Sequence, residues 1–169
     1  MRKLFIFDFD DTLANYSAYN TWTYKSPVPI FPRLGGTIKD AKKVLDFVNS
    51  RGDEIKMVTM NIVLSEEQKW RKLERVGMRR WFHEENVWMV KRKTPELFME
   101  VCGGKDPRSC YMVGNSYTND IKPSLKAGIN ALYIPRPRIK RILRVPDIDN
   151  PRMRVLGSIG EIIDIYESL

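Results

Sequence analysis

Residues Leu4–Leu13 have the sequence LFIFDFDDTL, an apolar run that meets three carboxylates. The apolar half predicts a strand buried inside a parallel sheet. Such a strand would carry Asp8 and Asp10 to the sheet edge where ligands bind in open α/β folds. Carboxylates this close repel one another and call for a cation, and their hard oxygen atoms favour Mg²⁺. The alternative is a polar turn that follows an ordinary strand.

The composition indicates a folded protein of 169 residues, of which 43% are hydrophobic and 30% charged. This length suits a single domain over residues 1–169. No apolar run reaches the length of a membrane span and the N-terminus lacks a signal-peptide pattern, so we expect a cytoplasmic protein without membrane partners. Cys102 and Cys110 are expected to be buried thiols. The single histidine, His83, excludes Ser-His-Asp triads and multi-histidine metal sites.

Segments that predict strands alternate with segments that predict helices, which indicates a parallel sheet with helices on both faces. The expected fold class is α/β, with a Rossmann-like sheet of five parallel strands and no sizeable cap domain. After the first strand, the others are expected at residues 54–60, 87–90, 110–113 and 131–134. Residues 136–154 are expected to be irregular, and the Pro- and aromatic-rich residues 14–36 to form a short insertion loop in place of a cap.

Capping residues predict four helix starts. In three of them a hydroxyl lies three residues before an acid or an amide, and in the fourth a threonine precedes a proline. The pairs are Thr37 with Asp40, Ser65 with Gln68, Ser158 with Glu161, and Thr94 with Pro95. Each would open a helix that packs an apolar face against the sheet.

The polar residues that follow the strands suit phosphoryl transfer. Asp8 and Asp10 follow the first strand, and Thr59 lies at the end of the second. Asn115 and Asp120 follow the fourth strand, and two lysines precede the helix that a proline opens after the third. A metal ion and a lysine would neutralise a phosphoryl dianion, while the hydroxyl and backbone N–H groups would bind its oxygens.

These residues resemble the motifs of the haloacid dehalogenase (HAD) superfamily over nearly the whole chain. The first motif appears as Asp8-Phe9-Asp10-Asp11-Thr12-Leu13 and the fourth as GNSYTND at residues 114–120. The second corresponds to Thr59 and the third to a lysine ahead of a helix. The first and fourth motifs are specific in combination, whereas the two single residues are weak signals alone.

The resemblance implies a two-step phosphatase mechanism. Asp8 would be the nucleophile that takes the phosphoryl group as an aspartyl-phosphate, and Asp10 would be the general acid and base. Thr59 would hydrogen-bond a phosphoryl oxygen. Lys93 matches the third motif better than Lys91, and either would compensate charge between the nucleophile and the phosphate. Because dehalogenases of the family lack the acid at Asp10, its presence points to phosphatase or phosphotransferase chemistry.

The resemblance also implies a Mg²⁺ site. Its ligands would be Asp8, the backbone carbonyl of Asp10, and Asp120, with Asn115 as a further member. The family usually has an aspartate where this chain has Asn115, so one negative charge is missing and a weaker Mg²⁺ affinity is expected. Asp11 occupies a variable position of the motif and is left out of the site.

The expected substrate is a phosphorylated molecule whose identity the sequence does not name. Without a cap the chain resembles the capless subgroup. An open site of that kind can admit a phosphoprotein or a nucleic-acid end, or be covered by a partner subunit in a homo-oligomer. The net charge of +8 favours polyanions, and basic residues group after the fifth strand and along the second predicted helix. They are Arg136, Arg138, Lys140, Arg141, Arg144, Arg152 and Arg154, and Lys69, Arg71, Lys72, Arg75, Arg79 and Arg80.

Three function classes follow from these residues. A Mg²⁺-dependent phosphatase is preferred because the nucleophile, acid/base, hydroxyl, lysine and metal acid are all present. A nucleic-acid-binding module with a degenerate HAD site is the non-enzymatic alternative, and it predicts salt-dependent binding without hydrolysis. A phosphotransferase is the third, but it would need a cap that excludes water.

Overall fold

A computed structural model describes residues 2–15, 36–62, 65–135 and 150–169. The strands are β1 (Leu4–Phe7), β2 (Glu54–Met60), β3 (Val87–Val90), β4 (Cys110–Gly114), β5 (Asn130–Tyr133) and β6 (Met153–Val155). The α-helices are α1 (Ala41–Ser50), α2 (Glu66–Arg75), α3 (Pro95–Cys102), α4 (Lys122–Lys126) and α5 (Glu161–Ile165). Most of the predicted insertion loop and the basic residues between 136 and 149 lie outside the described residues.

The strands form one parallel sheet in the order β3-β2-β1-β4-β5-β6. β1 lies inside the sheet, with β2 and β3 on one side of it and β4, β5 and β6 on the other. The direction in which successive strands are added therefore reverses at β1. In open α/β sheets such a reversal creates the crevice in which ligands bind. Phe7 is in register with Met57 of β2 and Val113 of β4, so the residues after these three strands emerge side by side.

Within the described residues the sheet has six strands, so the prediction of five was wrong. The sixth strand, β6, begins in the segment 136–154 that was predicted to be irregular, and it pairs in parallel with β5. The backbone N–H of Ala131 donates to the carbonyl of Arg152 at 2.8 Å, and that of Leu156 to the carbonyl of Tyr133 at 2.8 Å. β6 is a three-residue edge strand with two exposed residues, and therefore carries no apolar pattern that a sequence-based prediction could detect.

Both faces of β1 are buried, as the apolar run predicted. Phe5 and Phe7 point into a core beneath α1, and Leu4 and Ile6 point into a second core beneath α3. All four side chains are inaccessible to solvent. At roughly 25 cal/mol per Å² of apolar surface removed from water, this burial holds the strand that carries Asp8 firmly in place.

Two of the four predicted helix starts are confirmed. Ser65 and Gln68 form both halves of a capping box at the start of α2, and the Thr94 hydroxyl accepts the N–H of Leu97 at the start of α3. The Pro95 that follows occupies the first turn of α3.

The other two helix starts were wrong. α1 begins only at Ala41, because Thr37 pairs instead with Ala14 and the N–H of Ile38 donates to the carbonyl of Leu13 at 2.8 Å. α5 begins at Glu161, whose carboxylate accepts the N–H of Gly157, and Ser158 caps nothing. At α1 a pairing with a distant residue replaced the predicted cap, whereas at α5 the contact is local and joins residues four positions apart. Among the described residues, none of the helices has the length and apolar character to cross a membrane.

Candidate active site

Asp8 lies directly after β1, and its position is set by the sheet. Its backbone N–H donates to the carbonyl of Val113 at 2.9 Å, so the parallel ladder continues for one residue beyond the strand. One carboxylate oxygen accepts from Lys93 Nζ at 2.6 Å and the other from Thr12 Oγ1 at 3.2 Å. Asp8 is therefore buried but held by donors on both oxygens, at the reversal point of the sheet.

Lys93 lies between two carboxylates. Its Nζ donates to Asp8 Oδ1 at 2.6 Å and to Asp120 Oδ1 at 2.7 Å, and its side chain is only 1% exposed. It comes just before Thr94, whose cap begins α3, so the helix start directs this residue at the site. Lys91, the other lysine considered for this position, is exposed. The structure thus brings Lys93, and not Lys91, to Asp8.

Asp8 and Asp120 bring more negative charge to this corner than Lys93 compensates. Burial raises the pKa of Asp8 to about 7, with a further contribution from the nearby Asp120, although Lys93 acts in the opposite direction. Burial also disfavours the charged form of Lys93, but its two carboxylate partners outweigh that effect and raise the pKa of the ammonium group. Two carboxylates therefore share a single lysine.

Asp120 reaches the site through a close approach to Gly114, the last residue of β4. A Cβ added to Gly114 would lie 2.5 Å from Asp120 Oδ2, so a larger residue at that position would displace the carboxylate. Asp120 lies on a π-helical turn, Tyr117–Ile121, and its Oδ2 accepts the backbone N–H of Ser116 at 2.9 Å. Turns of this kind are frequent at functional sites.

Asn115 is linked to Asp8 through Thr12. The Thr12 hydroxyl, itself buried, lies 3.2 Å from Asp8 Oδ2 and 3.2 Å from the amide oxygen of Asn115. The oxygen of Asn115 therefore faces the same corner as Asp8. The first motif contains Thr12 without assigning it a role, and the signal that could have identified it is its position four residues after Asp8, on a turn that returns toward that residue.

Asp10 carries a contact set that the sequence did not predict. Lys69 Nζ donates to its Oδ2, and Lys72 Nζ donates to its Oδ1 at 2.6 Å. Lys69 Nζ also donates to Thr59 Oγ1 at 3.1 Å, which joins the ends of β1 and β2. Burial lowers the pKa of Lys69, against the opposing effect of Asp10. Lys69 and Lys72 had been grouped with a basic surface, yet both face the site.

Asp11 occupies a left-handed backbone conformation with φ of 60°. Aspartate tolerates this region better than most residues, and the turn is closed by the Asp11 N–H, which donates to the carbonyl of Ala14 at 2.7 Å. Its side chain lines the open cleft above the site. The variable position of the motif therefore contributes a turn conformation and part of the cleft wall.

The cleft above these residues has a volume of about 340 Å³. Its floor contains Asp8, Asp10 and Asp120, and its walls combine an apolar side with a polar one. The wall residues are Asp11, Met60, Ile62, Lys69, Asn115, Ser116 and Asn119. Ile62, at the apolar side, is 68% exposed. The cleft is thus open to solvent at the described residues around the carboxylates.

The oxygen donors of this corner fit Mg²⁺. Within the described ranges, no three His, Cys, Asp or Glu side chains come together as a metal site. The expected set, however, needs only the side chains of Asp8 and Asp120, with a carbonyl oxygen of Asp10 and the amide oxygen of Asn115. These are hard oxygen donors, and two buried carboxylates sharing one ammonium group have an excess of negative charge that a divalent cation would offset.

Three of the arginines on the second helix and in the turn after it are compensated by acidic partners. Arg71 pairs with Glu67, Arg79 pairs with Glu84, and Arg80 pairs with Asp46. The guanidinium groups of Arg79 and Arg80 also lie over the rings of Trp70 and Trp81. After the fifth strand, Arg152 and Arg154 donate to the Gly128 carbonyl and to Ser168.

Comparison with known proteins finds likenesses in structure. Neither a family model nor a curated protein sequence matches the chain. A haloacid dehalogenase-like family hydrolase from Xanthomonas campestris is 14% identical, with a TM-score of 0.72, over 99% of this chain and 91% of its own. A 2-haloacid dehalogenase from Pseudomonas syringae is 13% identical, with a TM-score of 0.73, over 99% of both chains. A D,D-heptose 1,7-bisphosphate phosphatase from B. bronchiseptica, whose crystal structure contains magnesium and phosphate, is 12% identical, with a TM-score of 0.74, over 98% of both chains.

Proposed function

We propose that this chain, which has the fold of the haloacid dehalogenase-like hydrolases, is a Mg²⁺-dependent phosphatase that hydrolyses a phosphomonoester through an aspartyl-phosphate on Asp8. The observation that carries the proposal is the ion-pair cluster at the ends of β1, β2 and β4. It contains three carboxylates and three lysines in two hydrogen-bonded groups, which are Asp8 and Asp120 with Lys93, and Asp10 with Lys69 and Lys72. The fold alone does not choose this reaction, because dehalogenases share it.

The charge of the cluster supports a dianionic substrate. With all six side chains counted as ionised, Asp8, Asp10 and Asp120 balance the three lysines, so the two groups together sum to zero. A bound Mg²⁺ would bring the cluster to two positive charges, which a phosphomonoester dianion would neutralise. Asp8, Asp10, Asp120 and Lys93 alone would sum to two negative charges. They would therefore carry no net positive charge once the metal was bound. The two lysines that face Asp10 therefore supply the charge that matches a phosphoryl group.

The proposed roles of Asp8 and Asp10 are those that the family resemblance implies. In the first step a carboxylate oxygen of Asp8 attacks phosphorus, the bond from phosphorus to the leaving oxygen breaks, and Asp10 gives that oxygen a proton. In the second step Asp10 takes a proton from water, the water oxygen bonds to phosphorus, and the bond to Asp8 breaks. Both Asp10 oxygens accept hydrogen bonds from ammonium groups in this structure. This arrangement suits an ionised carboxylate, which is the form that can take a proton from water in the second step.

The remaining residues bind and compensate charge. Lys93 neutralises charge between Asp8 and the phosphate, and the Thr59 hydroxyl binds a phosphoryl oxygen. Asp8 and Asp120 would hold Mg²⁺ with the Asp10 carbonyl and Asn115, and the ion when bound would withdraw charge from the phosphoryl oxygens. Asp10 is also the residue that favours a phosphatase over a dehalogenase, by the family pattern.

We extend the proposal to the substrate and its setting. The chain would act as one domain over residues 1–169, with residues 14–36 in place of a cap, in the cytoplasm. A cleft that is open at the described residues suits a large phosphorylated substrate, such as a phosphoprotein or a nucleic-acid end, or coverage by a second subunit.

The deciding experiment is hydrolysis of p-nitrophenyl phosphate with Mg²⁺ by the wild type, Asp8→Asn and Asp46→Asn. Asp46 is the matched control because it is an exposed aspartate paired with Arg80. We expect EDTA to abolish turnover and Asp8→Asn to lower it at least about 10³-fold, since the nucleophile is lost. Asp46→Asn should remain near the wild-type rate.

A wild type without EDTA-sensitive turnover, or with turnover equal to that of Asp8→Asn, would overturn the proposal. Acid quenching during turnover should also trap phosphate covalently on the wild type and not on Asp8→Asn. Salt-dependent binding of an oligonucleotide in the absence of any hydrolysis would instead favour the nucleic-acid-binding alternative.

A further inference from the structure

Lys69 is buried at a position where a lysine side chain ordinarily reaches solvent. It is the fourth residue of α2, and its charged neighbours Glu66, Glu67 and Arg71 are exposed. Lys69 itself is 1% exposed. Removing an ammonium group from water costs several kcal/mol unless it is well paired, and apolar residues of similar volume often stabilise a fold equally well. Packing of α2 therefore does not explain a lysine here.

The contacts of Lys69 join two residues of the proposed mechanism. Its Nζ donates to Asp10 Oδ2 and, at 3.1 Å, to Thr59 Oγ1. An ammonium group can only donate, so the Thr59 oxygen is the acceptor in this contact. The single hydrogen of the Thr59 hydroxyl must then point to another acceptor. The lysine thereby determines how a hydroxyl at the end of β2 can be used.

The start of α2 explains why Lys69 can reach both residues. The Ser65–Gln68 capping box fixes the first turn of the helix, and helical side chains lean toward the helix N-terminus. That direction carries Lys69 back to the sheet edge at which Thr59 and Asp10 lie. Its Nζ is also 5.8 Å from the centre of the Phe9 ring, the residue between Asp8 and Asp10.

We propose that Lys69 is a positioning residue, which turns the Thr59 hydroxyl hydrogen toward the phosphoryl group and holds the Asp10 carboxylate beside it. This inference rests on the proposed phosphatase function and adds a residue that the four family motifs do not contain. Lys69 acts through Thr59 in this scheme, so the effects of changing the two residues must depend on each other. A lysine that only supported the fold would produce independent effects.

The test is a double-mutant cycle on kcat for p-nitrophenyl phosphate with saturating Mg²⁺. It compares the wild type, Lys69→Met, Thr59→Val and the double variant. Removal of one preorganised donor costs about 10²-fold in kcat in well-studied enzymes, and we expect losses approaching that from each single change. The double variant should lose at least about fivefold less than the product of the two single losses, since residues in contact couple to this extent.

Lys56→Met is the matched control for loss of a lysine near the site. Lys56 lies on β2, three residues before Thr59, and its Nζ donates to the carbonyl of Val101 on the other side of the sheet. We expect its kcat to be near wild type, and its combination with Thr59→Val to give the product of the single effects. Thermal unfolding midpoints of all variants show that folded protein is being compared.

The outcomes separate this inference from the function on which it rests. Unchanged kcat in Lys69→Met, or losses that multiply with those of Thr59→Val, overturns the role of Lys69 while the phosphatase stands. A wild type without turnover overturns the phosphatase and this inference with it. If Lys69→Met does not fold, the cycle is run with Lys69→Arg, which keeps the charge but replaces the single nitrogen that contacts both oxygens, and the same two readings apply.

Discussion

At the scale of single residues, the site depends on close approaches that leave no room for substitution. Gly114 lies against Asp120, and Thr12 lies between Asp8 and Asn115. Gly114 ends β4 and Asp120 lies on the turn that follows the same strand, whereas Thr12 joins the turn after β1 to the residue after β4. The chemistry proposed for Asp8 therefore depends on neighbours that themselves do no chemistry.

Gly114→Ala tests the close approach to Asp120. The added methyl group would lie 2.5 Å from the carboxylate, so either Asp120 moves or β4 shifts. We expect a loss of about 1–3 kcal/mol in the free energy of unfolding from overpacking, and a fall in kcat of at least about tenfold from the displaced carboxylate. Urea unfolding and p-nitrophenyl phosphate turnover measure the two effects.

Gly36→Ala serves as the control for Gly114→Ala, because none of the described residues comes within 4 Å of a Cβ at Gly36. It should leave kcat near the wild-type value. Wild-type turnover in Gly114→Ala would contradict the placement of Asp120 in the active site.

Asn115→Asp tests whether Asn115 belongs to the metal shell. Because its amide oxygen shares the Thr12 hydroxyl with Asp8, a carboxylate there would add one negative charge beside the expected ion. We expect the Mg²⁺ concentration for half-maximal turnover to fall about tenfold. Asn119→Asp, which adds the same charge elsewhere in the cleft wall, should shift it less. Equal shifts of this Mg²⁺ concentration in the two variants, or no shift in Asn115→Asp, would show that Asn115 is not a metal ligand.

At the scale of secondary structure elements, the starts of α2 and α3 each direct a lysine at the site. The Thr94 cap and Pro95 follow directly after Lys93, and the Ser65–Gln68 capping box precedes Lys69 by one turn. Capping satisfies backbone N–H groups that the helix itself leaves unpaired. In this protein the same capping residues also fix the direction of two buried ammonium groups.

Ser65→Ala should therefore affect both stability and turnover. Loss of the cap should lower the free energy of unfolding by about 1 kcal/mol, and fraying of the first turn of α2 should lower kcat because Lys69 lies in the next turn. Ser158→Ala is the control, since α5 begins with Gly160 at its cap position and Ser158 caps nothing. A fall in stability with unchanged kcat would show that Lys69 is held by its ion pair alone.

At the scale of the whole molecule, the C-terminal segment is tied to the edge of the sheet opposite the site. The Tyr166 hydroxyl donates to Asp53 Oδ2 at 2.5 Å, and the backbone N–H of Lys3 donates to Asp53 Oδ1 at 2.8 Å. Lys3 Nζ lies 3.8 Å from the centre of the Tyr166 ring. Function and anchoring thus occupy opposite ends of the strands, as is usual in parallel sheets.

Tyr166→Phe should lower the free energy of unfolding by about 1–3 kcal/mol near pH 8, because Asp53 would lose a donor while remaining buried. The pKa of Tyr166 is raised above its usual value of 10.0, first by burial and then by the bond to Asp53. Because the pKa is raised in the folded state, the contribution of the Tyr166 hydroxyl to the free energy of unfolding is complete below about pH 10. It is lost as the pH rises through the pKa that Tyr166 has in the folded protein. Urea unfolding should therefore show a smaller difference in the free energy of unfolding between wild type and Tyr166→Phe at about pH 11 than at about pH 8. A constant difference would contradict this assignment.

The sequence by itself determined the parallel sheet and the place of the acids. Apolar runs without alternation are typical of strands buried on both faces, and the chain after such a strand must emerge at one edge, so Asp8, Asp10 and Asp120 were predictable as neighbours. The Ser65 and Thr94 caps were predictable because their partners lie three residues away. Local pattern and local chemistry were sufficient for these features.

Only the tertiary structure decided the features that depend on distant partners. Lys93 is buried at the site whereas Lys91 is exposed. Thr37 pairs with Ala14 and does not cap a helix. β6 is an edge strand without an apolar pattern, and it is recognised only by its pairing with β5. The tertiary structure also turned Lys69 from a residue of a basic surface into a contact of Asp10, 59 positions away in the chain. The physical reason is that a lysine is buried only where folding brings a carboxylate to it, and no local property of the sequence around Lys69 records that meeting.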